Sequence, residues 1–173
     1  RNCSNLVHPK DLVVNYWADS LDKCERKTQV YYYSKRELLE KFRSGEFLEV
    51  DLPNPSSDNL RKEDKALGLV AGEEDESTPY MVLEQHNFID IDGDGYPEPY
   101  ISTVLYQDAT LLRISARWDS DGVKKDEKGK IVCIHPVEYY TKFPFIPNPD
   151  GGFYDIGFGL LLGPINESVN TII

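Results

Sequence analysis

Short β-branched and aromatic runs separated by polar stretches mark most of this chain. Residues 11–17 and 28–33 are two such runs and predict strands, with the polar residues 18–27 as the loop between them. The pattern changes at Ser34. Glu37 stands three residues after it, as a capping box requires, Leu38, Leu39 and Phe42 recur at helical spacing, and Gly45 supplies a stop. A helix is predicted over 35–44. From 53 to 79 the chain turns polar, with Pro53, Pro55, Ser56 and Ser57 at one end and the run Gly72-Glu73-Glu74-Asp75-Glu76-Ser77 at the other. This predicts a mobile acidic excursion with a short helix over 59–67.

Four further runs, 80–89, 100–106, 111–118 and 131–135, predict strands joined by turns at 107–109 and 119–130, giving an antiparallel meander. No internal repeat of fixed period occurs, which disfavours a solenoid or propeller. Residues 139–152 are aromatic and proline-rich, and each proline disfavours helix at the residue before it, so this stretch is expected as an extended arm. Beyond the arm, Leu160, Leu161, Ile165, Val169, Ile172 and Ile173 lie close to one helical face, with Pro164 beginning or kinking the helix. Gly157, Gly159 and Gly163 allow close packing or form the turn into it. The expected fold class is α+β and β-rich, with mainly antiparallel strands, a few helices, and a C-terminal extended arm leading into a helix.

Composition agrees with sheet. Of the 173 residues 40% are hydrophobic, enough for one ordinary core, and the 12% aromatic share is carried mostly by eleven tyrosines. The net charge of −11 repels a phosphate backbone, so tight DNA binding is not expected. No run approaches the apolar length needed to span a bilayer and no leader-like segment opens the chain, which suggests a soluble, unsecreted protein with no membrane partner. The chain begins at Arg1 and ends at Ile173 inside an apolar helical pattern, as expected of a segment of something longer. Cys3, Cys24 and Cys133 are odd in number and far apart, unlike a disulfide framework, and are expected as buried or half-buried thiols. The sequons at Asn2 and Asn166 carry no weight at this length of pattern.

The strongest local motif is Asp90-Ile91-Asp92-Gly93-Asp94-Gly95-Tyr96-Pro97-Glu98. Asp90, Asp92, Asp94 and Glu98 occupy the first, third, fifth and ninth places of a calcium-type loop, with Gly95 at the sixth place to permit the sharp bend. The twelfth place, which needs a bidentate Glu, is Ile101, and Pro97 and Pro99 prevent an exiting helix. Two readings stand: a Ca²⁺ site on a strand–loop–strand hairpin, or an Asp/Gly-rich turn with no cofactor. Catalytic groupings are thin. Cys133 and His135 share a strand face but lack a third polar orienter and sit among apolar residues, which points to core packing. His8, His86 and His135 show no metal-ligand spacing with the cysteines, and no phosphate loop or nucleophile elbow occurs. No catalytic residue is nominated, and an enzyme is not expected.

Three stretches taken in order, 11–16, 37–47 and 83–100, resemble the portal proteins of short-tailed phages and related prophages. The fourth, 140–172, is similar to that family's most recognisable signature, with Phe143-Pro144-Phe145-Ile146-Pro147-Asn148-Pro149-Asp150-Gly151-Gly152 at its centre. The likeness covers nearly the whole chain apart from 53–79. It implies a structural subunit of a ring, usually of twelve copies, at one capsid vertex, through which DNA is packaged and ejected. The ring docks the ATP-driven terminase, capsid proteins, and later tail or head-completion proteins, and itself hydrolyses nothing. Location in the virion, and in host cytoplasm during assembly, follows from the same resemblance. Residues 1–173 then correspond to a single wing-type domain fragment outside the channel-lining stem.

Overall fold

A computed structural model describes residues 4–55, 78–127 and 129–172. The described chain is α+β and β-rich, as its residue pattern implies. Its elements in order are β1 (Leu12–Val14), β2 (Lys27–Tyr33), α1 (Lys35–Arg43), β3 (Tyr80–Ile89), β4 (Glu98–Leu105), β5 (Thr110–Ala116), β6 (Val123–Lys125), β7 (Ile131–Ile134) and α2 (Phe158–Ile172). Two compact units are formed: one from 1–14 and 25–137, the other from 15–24 and 138–173. The arm and terminal helix anticipated at 139–173 belong to the second. Most of the excursion anticipated at 53–79, including its helix at 59–67, lies outside the described residues, as does Ile173.

The first unit is organised by a sheet whose spatial order is its chain order, β1-β2-β3-β4-β5, antiparallel throughout. Cross-strand partners share a face, so the register sorts the side chains into two sets. One face brings Tyr31 opposite Val82 and Tyr33 opposite Tyr80. Helix α1 closes over that end. Ser34 accepts the Glu37 N–H at 3.3 Å and the Glu37 carboxylate accepts the Ser34 N–H at 2.7 Å, so the capping box starts the helix where expected. Leu38 and Phe42 then point down to join Phe47, Tyr80, Val82, Leu105 and Leu112 in the core, flanked by Val50 and Leu52.

A register shift between Thr103 and Val104 explains how Leu112 enters this core. Val104 pairs with Leu111 and Thr103 with Arg113, so Leu112 is the extra residue of a bulge, and its side chain is fully buried while its carbonyl accepts the Leu48 N–H at 2.7 Å. Beyond β5, β6 and β7 pair as a separate ribbon. The stretch 119–130, expected as a turn, contains β6; its Val-Lys-Lys sequence is too short and too charged to signal a strand without the partner β7. Strand β1 is likewise shorter than the predicted 11–17, because the chain turns at Asn15, whose carbonyl accepts the Ala18 N–H.

In the second unit the arm is extended and carries one isolated bridge, Ile146 with Ile156. Lys142 holds its two sides together, pairing with the Asp155 carboxylate at 2.9 Å and donating to the Phe153 carbonyl. Phe145 meets Phe158 at 4.2 Å between ring centroids, where α2 begins. Pro164 lies inside α2 rather than at its start, and Ser168 and Thr171 donate back to the carbonyls four residues earlier, Pro164 and Glu167. Among the described residues no helix is long and apolar enough to cross a membrane.

Candidate functional site

The loop joining β3 to β4 carries the acidic motif, and its shape follows from short aspartate side chains capturing nearby backbone donors. Asp90 accepts the Gly93 N–H at 2.7 Å with one carboxylate oxygen and the Gly95 N–H at 2.9 Å with the other. Asp92 accepts the Asp94 N–H at 3.2 Å, and Asp94 accepts the Tyr96 N–H at 2.7 Å. Gly93 and Gly95 have φ of 75° and 90°, a region L side chains rarely enter, so the two glycines permit the turns that the aspartates hold.

This winding gathers Asp90, Asp92 and Asp94, all exposed, so that one ligand atom from each lies within 4.8 Å of the others. Glu98 is not among them. It is the first residue of β4, paired with Ile89 across the hairpin, and its carboxylate accepts the Tyr100 hydroxyl at 2.7 Å. That bond, aided by burial, pushes the Tyr100 phenol up to about 12, because ionisation would place two anions side by side. Three of the four sequence-predicted ligands thus converge and the fourth is engaged elsewhere. Calcium takes six to eight oxygens. Three carboxylates open to water would leave the rest of a calcium shell to solvent, and a bound ion would cross-link the loop.

Tyr96 was not singled out from the sequence, yet it ties this loop to the β6–β7 ribbon: its hydroxyl accepts the Ile134 N–H at 3.0 Å. No local pattern announces such a bond, because donor and acceptor are far apart in the chain. On that ribbon Cys133 and His135 depart from the expected core packing. Cys133 is half-buried and His135 exposed, with Sγ and Nε2 3.9 Å apart and Lys124 paired opposite Cys133. A four-residue strand in a two-stranded ribbon buries too little of either side chain for core. Cys24 is buried, and neither it nor Cys133 forms a disulfide among the described residues.

A second cluster escaped the sequence reading. Past the core on the α1-covered face, Lys27 lies opposite His86 and Glu84 opposite Thr103, and Lys27, His86, Thr103 and Arg117 are each no more than 2% exposed. His86 Nε2 lies 3.6 Å from a Glu84 oxygen, and the Arg117 guanidinium sits over the Phe88 ring. Burial, then the Glu84 charge, raises the Tyr31 phenol far above its ordinary range. Polar residues at alternate positions of Lys27-Thr28-Gln29 and Glu84-Gln85-His86 were the available signal; without the register they read as a solvated face. These groups place charged and polar side chains on the buried face of the sheet. Neither the protein-family models nor the curated proteins contain a match to this chain.

Proposed function

We propose that the chain is part of a portal subunit of a short-tailed phage or related prophage, a structural component of the ring that conducts DNA at the capsid vertex, and not an enzyme. The observation that carries this reading is the ordered resemblance of four stretches, above all the arm and helix of 140–172. The character of that segment supports it. Helix α2 buries none of its residues and exposes Phe158, Leu160, Ile165 and Ile172 each by more than half. Apolar surface of this kind in a water-soluble subunit calls for packing partners, which a ring of neighbours would supply. The acidic balance suits a conduit through which DNA slides without being gripped.

Electron microscopy of the full-length gene product tests the reading. The expected result is a closed ring with a central channel, usually twelve-fold, that copurifies with the large terminase subunit. A full-length protein that stays monomeric at micromolar concentration, with no ring and no terminase association, overturns it.

The gathered Asp90, Asp92 and Asp94 favour a second reading, a calcium-dependent β-rich binding module. A ligand that binds only the native state raises the melting temperature by mass action. On this reading millimolar calcium raises melting and Asp92→Asn abolishes the rise. Absence of calorimetric heat and of any melting shift leaves the loop as a hydrogen-bonded turn.

A further inference from the structure

Strand β7 ends in a nucleophile beside a base, a pair that neither functional reading uses. Cys133 lies on β7 and His135 one residue past its end, and Sγ is 3.9 Å from Nε2. Cys133 is half-buried and His135 exposed, so small solutes reach the pair. Lys124, also exposed, stands directly across the ribbon from Cys133. Cross-strand partners of this kind share a face, with Cβ atoms roughly 5 Å apart.

The backbone holds the pair in place from several sides. Between the two residues lies Ile134, 4% exposed, whose N–H donates to the Tyr96 hydroxyl at 3.0 Å. The His135 N–H donates to the Gly122 carbonyl at 2.9 Å, and the Val137 N–H to the Arg117 carbonyl at 2.8 Å. A β-carbon on Gly122 would stand 2.8 Å from the His135 carbonyl oxygen, so glycine is what lets the two chains approach this closely. On the other side Lys124 pairs with Cys133 but Lys125 with Ile131, which makes Val132 the extra residue of a bulge next to the thiol.

We propose that Cys133 is a modification site for low-molecular-weight disulfides, with His135 as the acceptor of the thiol proton. A thiol reacts as its thiolate, and an imidazole within hydrogen-bond reach of the sulfur gives the proton a place to go. The Lys124 ammonium on the same face favours the negative sulfur. In the reaction the Cys133 proton passes to Nε2 and Sγ attacks one sulfur of the disulfide. The disulfide bond breaks as the new S–S bond forms, and the departing thiolate takes the proton back from Nε2. Cys133 is oxidised to a mixed disulfide and the departing sulfur is reduced to a thiol, so no further oxidant is needed. A reducing thiol reverses the step. The site rests on neither the portal nor the calcium reading.

The test measures, on the whole chain at neutral pH, how fast dithiodipyridine and oxidised glutathione modify Cys133, resolved from Cys3 and Cys24 by mass spectrometry of tryptic peptides. The reference is the same chain unfolded in urea, where Cys133 is fully accessible but the pair is not formed. Cys133 is expected to react about tenfold faster in the folded chain, although it is half-buried there. His135→Asn is expected to bring the folded-state rate down to that of the unfolded chain, and dithiothreitol to restore the free thiol. A folded-state rate at or below the unfolded rate overturns the proposal. So does a His135→Asn rate equal to that of the unsubstituted chain. His135 is exposed, so the variant is expected to keep its urea midpoint; if it does not, the folded and unfolded rates of the unsubstituted chain still decide.

Discussion

Asp90 uses both carboxylate oxygens to hold its turn, at Gly93 and Gly95, which makes it the residue on which the loop depends whether or not a metal binds. Asp90→Ala removes both bonds; because the site is exposed and water replaces part of what is lost, a cost of about 1 kcal/mol is expected, read as a lower urea midpoint with unchanged slope. Tyr100 leads to an alkaline dependence. Its phenol ionises at 10.0 when unperturbed and near 12 when donating to Glu98, so the folded state favours the protonated form. The stability from this bond is complete below pH 10 and is lost as pH rises toward 12. Tyr33 and Tyr80 are shifted the same way by burial. Absorbance titration of phenolate is therefore expected to show a group of tyrosines ionising late, one fewer in Tyr100→Phe, and that variant is expected to lose stability less steeply above pH 10.

Helix α1 shows how an element's cap and its buried stripe divide the stabilisation. Ser34→Ala deletes the side-chain half of the capping box and is expected to cost about 1 kcal/mol. The Ser34 backbone and side chain also hold the Glu37 carboxyl below its ordinary value. Its stabilising effect is thus present above the ordinary glutamate range and lost as pH falls through the depressed value, so Ser34→Ala is expected to flatten the acid limb of the stability profile. Leu38 and Leu39 are adjacent and chemically identical, yet Leu38 is wholly buried and Leu39 is 39% exposed. Leu38→Ala is expected to cost about 3 kcal/mol and Leu39→Ala under about 1 kcal/mol, measured by denaturant unfolding. The cap, the helical spacing and the limits of β3 are local properties and were legible in the residues. Strand β6 and the bulge at Leu112 were not, because each exists only through its cross-strand partner.

At the scale of the molecule, charge and apolar surface pull in different directions. A net charge of −11 gives a duplex no basic stripe along which several phosphates could be neutralised, and no appreciable DNA binding is expected at physiological salt. A salt-titrated binding assay checks this; submicromolar, salt-sensitive affinity would mean that local pairs such as Lys124 and Lys125 outweigh the global balance. The apolar side chains that α2 exposes, Leu160 and Ile172 among them, lie outside that charge balance and favour apolar contact over contact with phosphate.

The residue pattern by itself determined the α+β class, the capped α1, most of the strands, the extended arm and the helical periodicity of α2, since these depend on contacts and conformational preferences within a few residues. It also located the aspartates, because alternate acidic positions around glycines encode their own turn. Tertiary structure decided which of those carboxylates meet, sending Glu98 to Tyr100 because the first residue of β4 takes its facing from the sheet pleat. It decided, too, that Lys27, His86 and Arg117 are buried while Val13, Leu111 and Ile114 are exposed. Strand alternation predicts two faces but not which one another element covers, and that choice belongs to the pairing register and to where α1 comes to rest.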